Sequence, residues 1–155
     1  MNADSLKKLY DVNHYALTVN VDGLTQEDSL LQPPGGANCL NWVVGHIVAN
    51  RNFVLQLLGE PPIWSEAESA RFKRGSPPVK DASQARPIEK TLADFSRAQE
   101  RIRAGLDRVG DAGLAAPAGD ETVGEKLAFL HFHEAYHIGQ TALLRRMAGK
   151  AGAIR

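Results

Sequence analysis

Five histidines carry the chemical potential of this 155-residue chain: His14, His46, His131, His133 and His137. A neutral imidazole offers a lone pair to a proton or to a borderline metal ion. His133 and His137 stand four residues apart in a segment that reads as helix. They therefore lie about 40° apart around the axis and one turn apart along it, so both rings can reach one ion. His131 falls two residues before His133 and six before His137. It points away from both and is excluded as a ligand. His46 sits midway along a second helical segment, on one stripe with Val43, Asn50, Phe53 and Leu57. A polar ring on so apolar a helix needs a partner. The His133/His137 pair, facing it across a bundle, would complete a three-histidine site.

Three neutral nitrogens leave coordination positions open to water or substrate, as catalytic metal sites do, and imidazole ligands suit zinc or nickel. The plainer alternative makes His46 a hydrogen-bonded core histidine and leaves the His133/His137 pair on a wetted groove. His133-Glu134-Ala135-Tyr136-His137 also matches the H-E-x-x-H zinc-protease pattern, with Glu134 as general base. That reading fails on its third ligand, because residues 138–155 contain no histidine, aspartate, glutamate or cysteine. Glu134 is instead expected on the helix surface or behind an imidazole, holding its tautomer.

Other residues near these positions invite two readings each. Asn50, one turn beyond His46, and Gln140, close to one turn beyond His137, could orient a ligand of the ion or satisfy backbone groups in the core. Trp42 and Phe53 bracket His46 and could line an apolar substrate pocket or simply pack. His14, beside Tyr10 and Leu17, is a candidate pocket wall or a packing residue. Tyr136 is expected to pack. Cys39 lies seven residues from His46, about 10 Å along a helix, and is read as packing. Gly124, Ala128, Ala135, Gly139 and Ala142 form a small-residue strip that admits another backbone, within the bundle or across a homodimer interface. Arg71, Lys73, Arg74 and Lys80 read first as a solvated charge cluster, with a clamp for an anionic thiol as the remoter alternative.

The elements that must position these residues are four helices. The first spans 4–24, with Leu6, Leu9, Tyr10, Leu17 and Leu24 at helical spacing. Pro33-Pro34-Gly35-Gly36 breaks the chain before Asn38, the expected N-cap of a second helix running to Leu58. That helix is apolar nearly all round and so belongs at the centre. Residues 60–82 form a long connection with one helical turn over 66–72. The third helix starts at Pro87 and keeps its apolar stripe to Val109. Residues 110–121 interrupt it. Thr122-Val123-Gly124-Glu125 then reads as a capping box opening a fourth helix that runs to Ala148 and closes at Gly149. No stretch alternates with period two. The spacing predicts an all-α four-helix bundle, and the long connection between helices two and three predicts a crossover topology.

Composition narrows the function. Hydrophobic residues at 43% and charged residues at 23% match an ordinary folded domain rather than a disordered chain. Residues 1–155 are read as one domain. Eighteen basic residues balance eighteen acidic ones, so no electrostatic surplus exists to hold nucleic acid. The longest apolar run, 42–49, is too short to cross a membrane. A lone cysteine and no signal-peptide pattern fit a cytoplasmic setting.

Gly45-His46-Ile47, together with His133-Glu134-Ala135-Tyr136-His137-Ile138-Gly139-Gln140 and the following Leu143-Leu144-Arg145-Arg146, resembles the DinB/YfiT-like family. The likeness extends over almost the whole chain in helix order and loop placement, although only those two segments are specific. The resemblance implies a metal-binding four-helix bundle with a long crossover between its second and third helices. It also implies a ligand triad of one histidine on the second helix and an H-x-x-x-H pair on the fourth, which here are His46, His133 and His137. Better-understood relatives are metal-dependent transferases or isomerases that use low-molecular-weight thiols such as bacillithiol, mycothiol or glutathione, and they are commonly dimers. The expectation is a metal-dependent enzyme performing thiol S-transfer on a small molecule. A metal-dependent hydrolase and a non-catalytic metal- or small-molecule-binding bundle remain as alternatives.

Overall fold

A computed structural model describes residues 1–154. Helix α1, Ala3–Val21, opens where the Asn2 side chain accepts the Ser5 N–H. It ends three residues earlier than the periodicity predicts, because Gly23 takes φ +70° and turns the chain away. The single turn α2, Gln26–Ser29, and a 3₁₀ turn, Pro34–Gly36, follow. Helix α3, Leu40–Leu57, takes Cys39 rather than the expected Asn38 as its N-cap. The Cys39 thiol makes no capping bond and donates to the Val79 carbonyl at 3.3 Å, so this buried cysteine packs as expected.

Ser65 and Glu68 close a capping box on α4, Glu66–Ala70, within the predicted turn. Helix α5, Ile88–Leu114, runs past the expected end at Val109. It does so by kinking at Gly110, whose φ of +53° lies outside the helical range. Two-residue strands β1, Pro117–Ala118, and β2, Glu121–Thr122, pair antiparallel; the sequence pattern gave no sign of them. Helix α6, Val123–Met147, starts on the predicted capping box of Thr122 and Glu125.

Side-chain bonds between helices give the topology. Ala3 at the start of α1 bonds to Asp111 near the end of α5, so these two are antiparallel. Tyr10 reaches the Leu127 carbonyl and Asn20 the Ile138 carbonyl, so α1 and α6 run parallel. Asn41 bonds to the Arg86 carbonyl just before α5 begins, whereas Arg108 near its end bonds to the Leu58 carbonyl. Helices α3 and α5 are therefore parallel, and the connection between them returns along the bundle as the crossover predicts. Around the ring, α1 and α3 each pack on both α5 and α6.

The core has two apolar parts. One gathers Leu17, Val44, Ile47, Trp64, Phe72 and Phe95, and the other Leu6, Tyr10, Leu55, Ile102, Leu106 and Leu127. Between them Arg51 of α3, 0% exposed, makes a two-pronged ion pair with Glu134 of α6, 4% exposed. The histidine pair flanks this layer on α6, and His46 lies five residues before Arg51 on α3. The same two antiparallel helices thus carry the ion pair and the predicted triad. Among the described residues no helix is long and apolar enough to cross a membrane.

Candidate metal centre

His46 is 5% exposed, and its surroundings are built by the chain segment that follows α4. Gly45 leaves a space that the Phe72 ring fills; a Cβ there would clash with the ring, falling 2.6 Å from its Cε1. Phe72 so placed presents its carbonyl 2.6 Å from His46 Nδ1. A carbonyl can only accept, so Nδ1 carries the ring proton and Nε2 keeps its lone pair. Trp42 lies flat on the imidazole, centroids 4.7 Å apart and planes 11° from parallel. On α6, His137 Nδ1 donates to Gln140 Oε1 at 2.8 Å, which again leaves Nε2 bare.

The unprotonated nitrogens meet. His133 Nε2 is 3.2 Å from His137 Nε2 and 3.5 Å from His46 Nε2. One ligand atom from each of the three residues lies within 4.8 Å of the others. For a tetrahedral zinc ion with Zn–N bonds of 2.0–2.1 Å, ligand nitrogens stand about 3.3 Å apart. The separations fit a metal ion, and so does the donor chemistry. Burial pushes His46 down to about 4, against the opposing pull of the Phe72 carbonyl, with His137 and His133 depressing it further. Burial also lowers His133 and His137 below the ordinary histidine value. Burial thus favours the neutral form of all three, the form that binds metal.

The other predicted residues divide. Asn50 touches the triad, its amide donating to the His46 carbonyl at 2.8 Å and lying 3.0 Å from His46 Nε2. Gln140 and Trp42 hold or cover the histidine rings as described. His131 turns away, its Nε2 3.2 Å from the Leu9 carbonyl, in agreement with its exclusion. His14 does not reach the site. It stacks on Phe95 at 5.2 Å and meets Ser96, packing α1 on α5. Phe53 is also away from it, 47% exposed and lining separate cavities with Gln56, because seven residues beyond His46 carry it two turns down α3.

Glu134 corrects the sequence reading most sharply. It is neither on the surface nor behind an imidazole. Its Oε2 and Oε1 accept from Arg51 Nε and Nη2 at 2.8 and 2.9 Å. Arg51 also donates to the Phe95 carbonyl at 3.0 Å and lies 3.6 Å over that ring. Both carboxylate oxygens are engaged, so Glu134 cannot serve as the base of a zinc protease. Arg51 was missed, yet it is the lone charge on an otherwise uncharged α3. A charge there needs a buried partner. The role of Phe72 had no signal in the sequence.

A cavity of about 570 Å³ opens on the triad, walled by Trp42 and Tyr136 and rimmed by Asn38, Arg74 and Ser76. An adjoining apolar cleft of about 520 Å³ shares Trp42, Tyr136 and His137 and continues to Pro33, Leu143 and Met147. Tyr136 is therefore a wall rather than core. Of the small-residue strip, Gly124 abuts Leu114 of α5 within the bundle, whereas Gly139 faces open space.

No curated protein matches the chain. A sequence model of the DinB superfamily matches residues 9–141, a span that holds all three converging histidines together with the crossover and its Phe72 contact. The chain belongs to the DinB superfamily.

Proposed function

We propose that the protein is a metal-dependent enzyme that joins a low-molecular-weight thiol to an electrophilic small molecule, with His46, His133 and His137 as ligands of a zinc or nickel ion. The observation that carries the reading is the convergence of three Nε2 atoms on one open cavity, with Nδ1 of His46 and of His137 committed elsewhere. When bound, a divalent ion would supply the Lewis acidity that ionises a thiol or a water at neutral pH.

The surrounding residues favour the thiol. Hydrolysis also calls for an acid to protonate the leaving group, and among the described residues no acidic one lines the cavity. The nearest carboxylate in sequence, Glu134, is held by Arg51. A thiol loses its proton on ionisation and attacks without further help. The Trp42 ring shields one face of His46 from water, and Asn50 directs an amide N–H beside its Nε2. The cavity volume suits a small organic substrate.

A homodimer in a reducing cytoplasm is part of the same reading. Phe129, Phe132, Tyr136, Leu143 and Met147 form an exposed apolar stripe along α6, and Cys39 is a single buried thiol. The chemistry is tested by incubating metal-loaded protein with bacillithiol, mycothiol, glutathione and cysteine beside a chloro-dinitrobenzene electrophile. Adduct formation that disappears in His133→Ala supports it. No histidine-dependent adduct with any thiol refutes it and leaves a metal-binding bundle without turnover.

A further inference from the structure

The segment after α4 carries the four cations read from the sequence as a solvated cluster or an anion clamp; three of them are exposed, and they part ways in the fold. Lys73 pairs with Glu66, and Arg71 donates to the Gln84 carbonyl. Lys80 does not line the triad cavity. Arg74 does, and it has no ion-pair or hydrogen-bond partner among the described residues.

Its position is fixed from both sides. Phe72, two residues earlier, bonds to His46 Nδ1 and fills the space at Gly45. Ser76, two residues later, accepts from Trp42 Nε1 at 3.0 Å. Between them the Ser76 N–H closes a turn on the Lys73 carbonyl at 3.0 Å, with Gly75 at φ +83°. Arg74 therefore rides on a turn anchored to a triad histidine and to the indole stacked on it.

The charge of the cavity is one-sided. Its lining has three imidazoles and one guanidinium, and among the described residues no carboxylate. Ligands without charge leave a divalent ion its full double charge, so an occupied centre beside Arg74 has only positive groups to offer. We infer that the cavity selects a small organic acid, with one donor group at the three-histidine centre and a carboxylate on the Arg74 guanidinium. The planar fork of arginine suits a carboxylate. The walls of Trp42 and Tyr136, and the apolar cleft beyond them, accommodate the hydrocarbon portion. This inference rests on the metal-centre reading and adds the substrate class to it.

The test uses cobalt-loaded full-length protein and two probes that differ only in charge, 3-mercaptopropionate and 3-mercaptopropionamide. Each is titrated against the visible absorption of the cobalt ion, which reports binding without turnover. Wild type is expected to bind the acid at least fivefold more tightly than the amide. Arg74→Met is expected to keep its cobalt spectrum and lose most of the preference, the remainder coming from the ion itself, and Arg74→Lys to retain more of it. Raising the salt concentration shrinks a preference of ionic origin. Equal binding by wild type, a preference undiminished in Arg74→Met, or no spectral change with either probe overturns the inference. A wild type that takes up no cobalt, or a His46→Ala variant that keeps it, overturns the metal-centre reading itself.

Discussion

Replacing Glu134 by leucine isolates what binds the two histidine-bearing helices together. The side chain is 4% exposed and satisfies a guanidinium that is 0% exposed, through bonds of 2.8 and 2.9 Å. Without it, Arg51 keeps the Phe95 carbonyl and ring but has a buried charge with no counter-ion. Breaking one side of such a pair costs about 3–5 kcal/mol. Unfolding entropy near 2.1 cal/mol/K per residue gives roughly 0.33 kcal/mol/K for a chain of this length, so Tm should fall by roughly 9–15 °C. Arg51→Met should do comparable damage. The double variant Arg51→Met/Glu134→Leu should recover most of the loss, since apolar residues of similar volume replace a buried pair at little cost. Urea unfolding of metal-free protein at pH 7, fitted as a double-mutant cycle, measures all four states. Single variants within about 1 kcal/mol of wild type, or losses that simply add in the double, would refute the reasoning.

Three other expectations follow from the same geometry. Gln140→Leu removes the acceptor that fixes His137 Nδ1–H and should weaken metal binding by about 10–100-fold in competition with a chelator. The metal-free protein should lose stability as pH falls from about 6.5 towards 4, because unfolded His46 takes a proton in that range while the folded residue, held at about 4, resists it. Urea midpoints across that window test this, and His46→Asn should flatten the slope. Leu143→Glu places a charge in the exposed α6 stripe, and the proposed homodimer should then sediment as a monomer while wild type stays dimeric.

The long helices were legible because their stripes, caps and breakers agree. Thr122 and Glu125 open α6 as their spacing predicts, and the parallel run of α3 and α5 answers to the length of the connection between them. The triad was legible too, because helical spacing alone aims His133 and His137 together and a histidine on an apolar helix needs a partner. What the spacing lacked was the third dimension. Glu134 sits one residue from His133, about 100° around the helix, and periodicity cannot say which neighbour waits on that side. Arg51 was the overlooked clue. Phe53 shares the stripe of His46 yet lies two turns away, since a stripe fixes direction but not depth along the bundle. Phe72 and Arg74 come from irregular chain, where no period exists to read.

The ligand set is tested most directly by metal stoichiometry. Protein loaded with zinc or nickel and then desalted should carry one ion per chain in wild type and in His131→Ala, whose ring faces the Leu9 carbonyl instead. His46→Ala, His133→Ala and His137→Ala should each lose it. An undiminished ion content in any of those three variants would contradict the account.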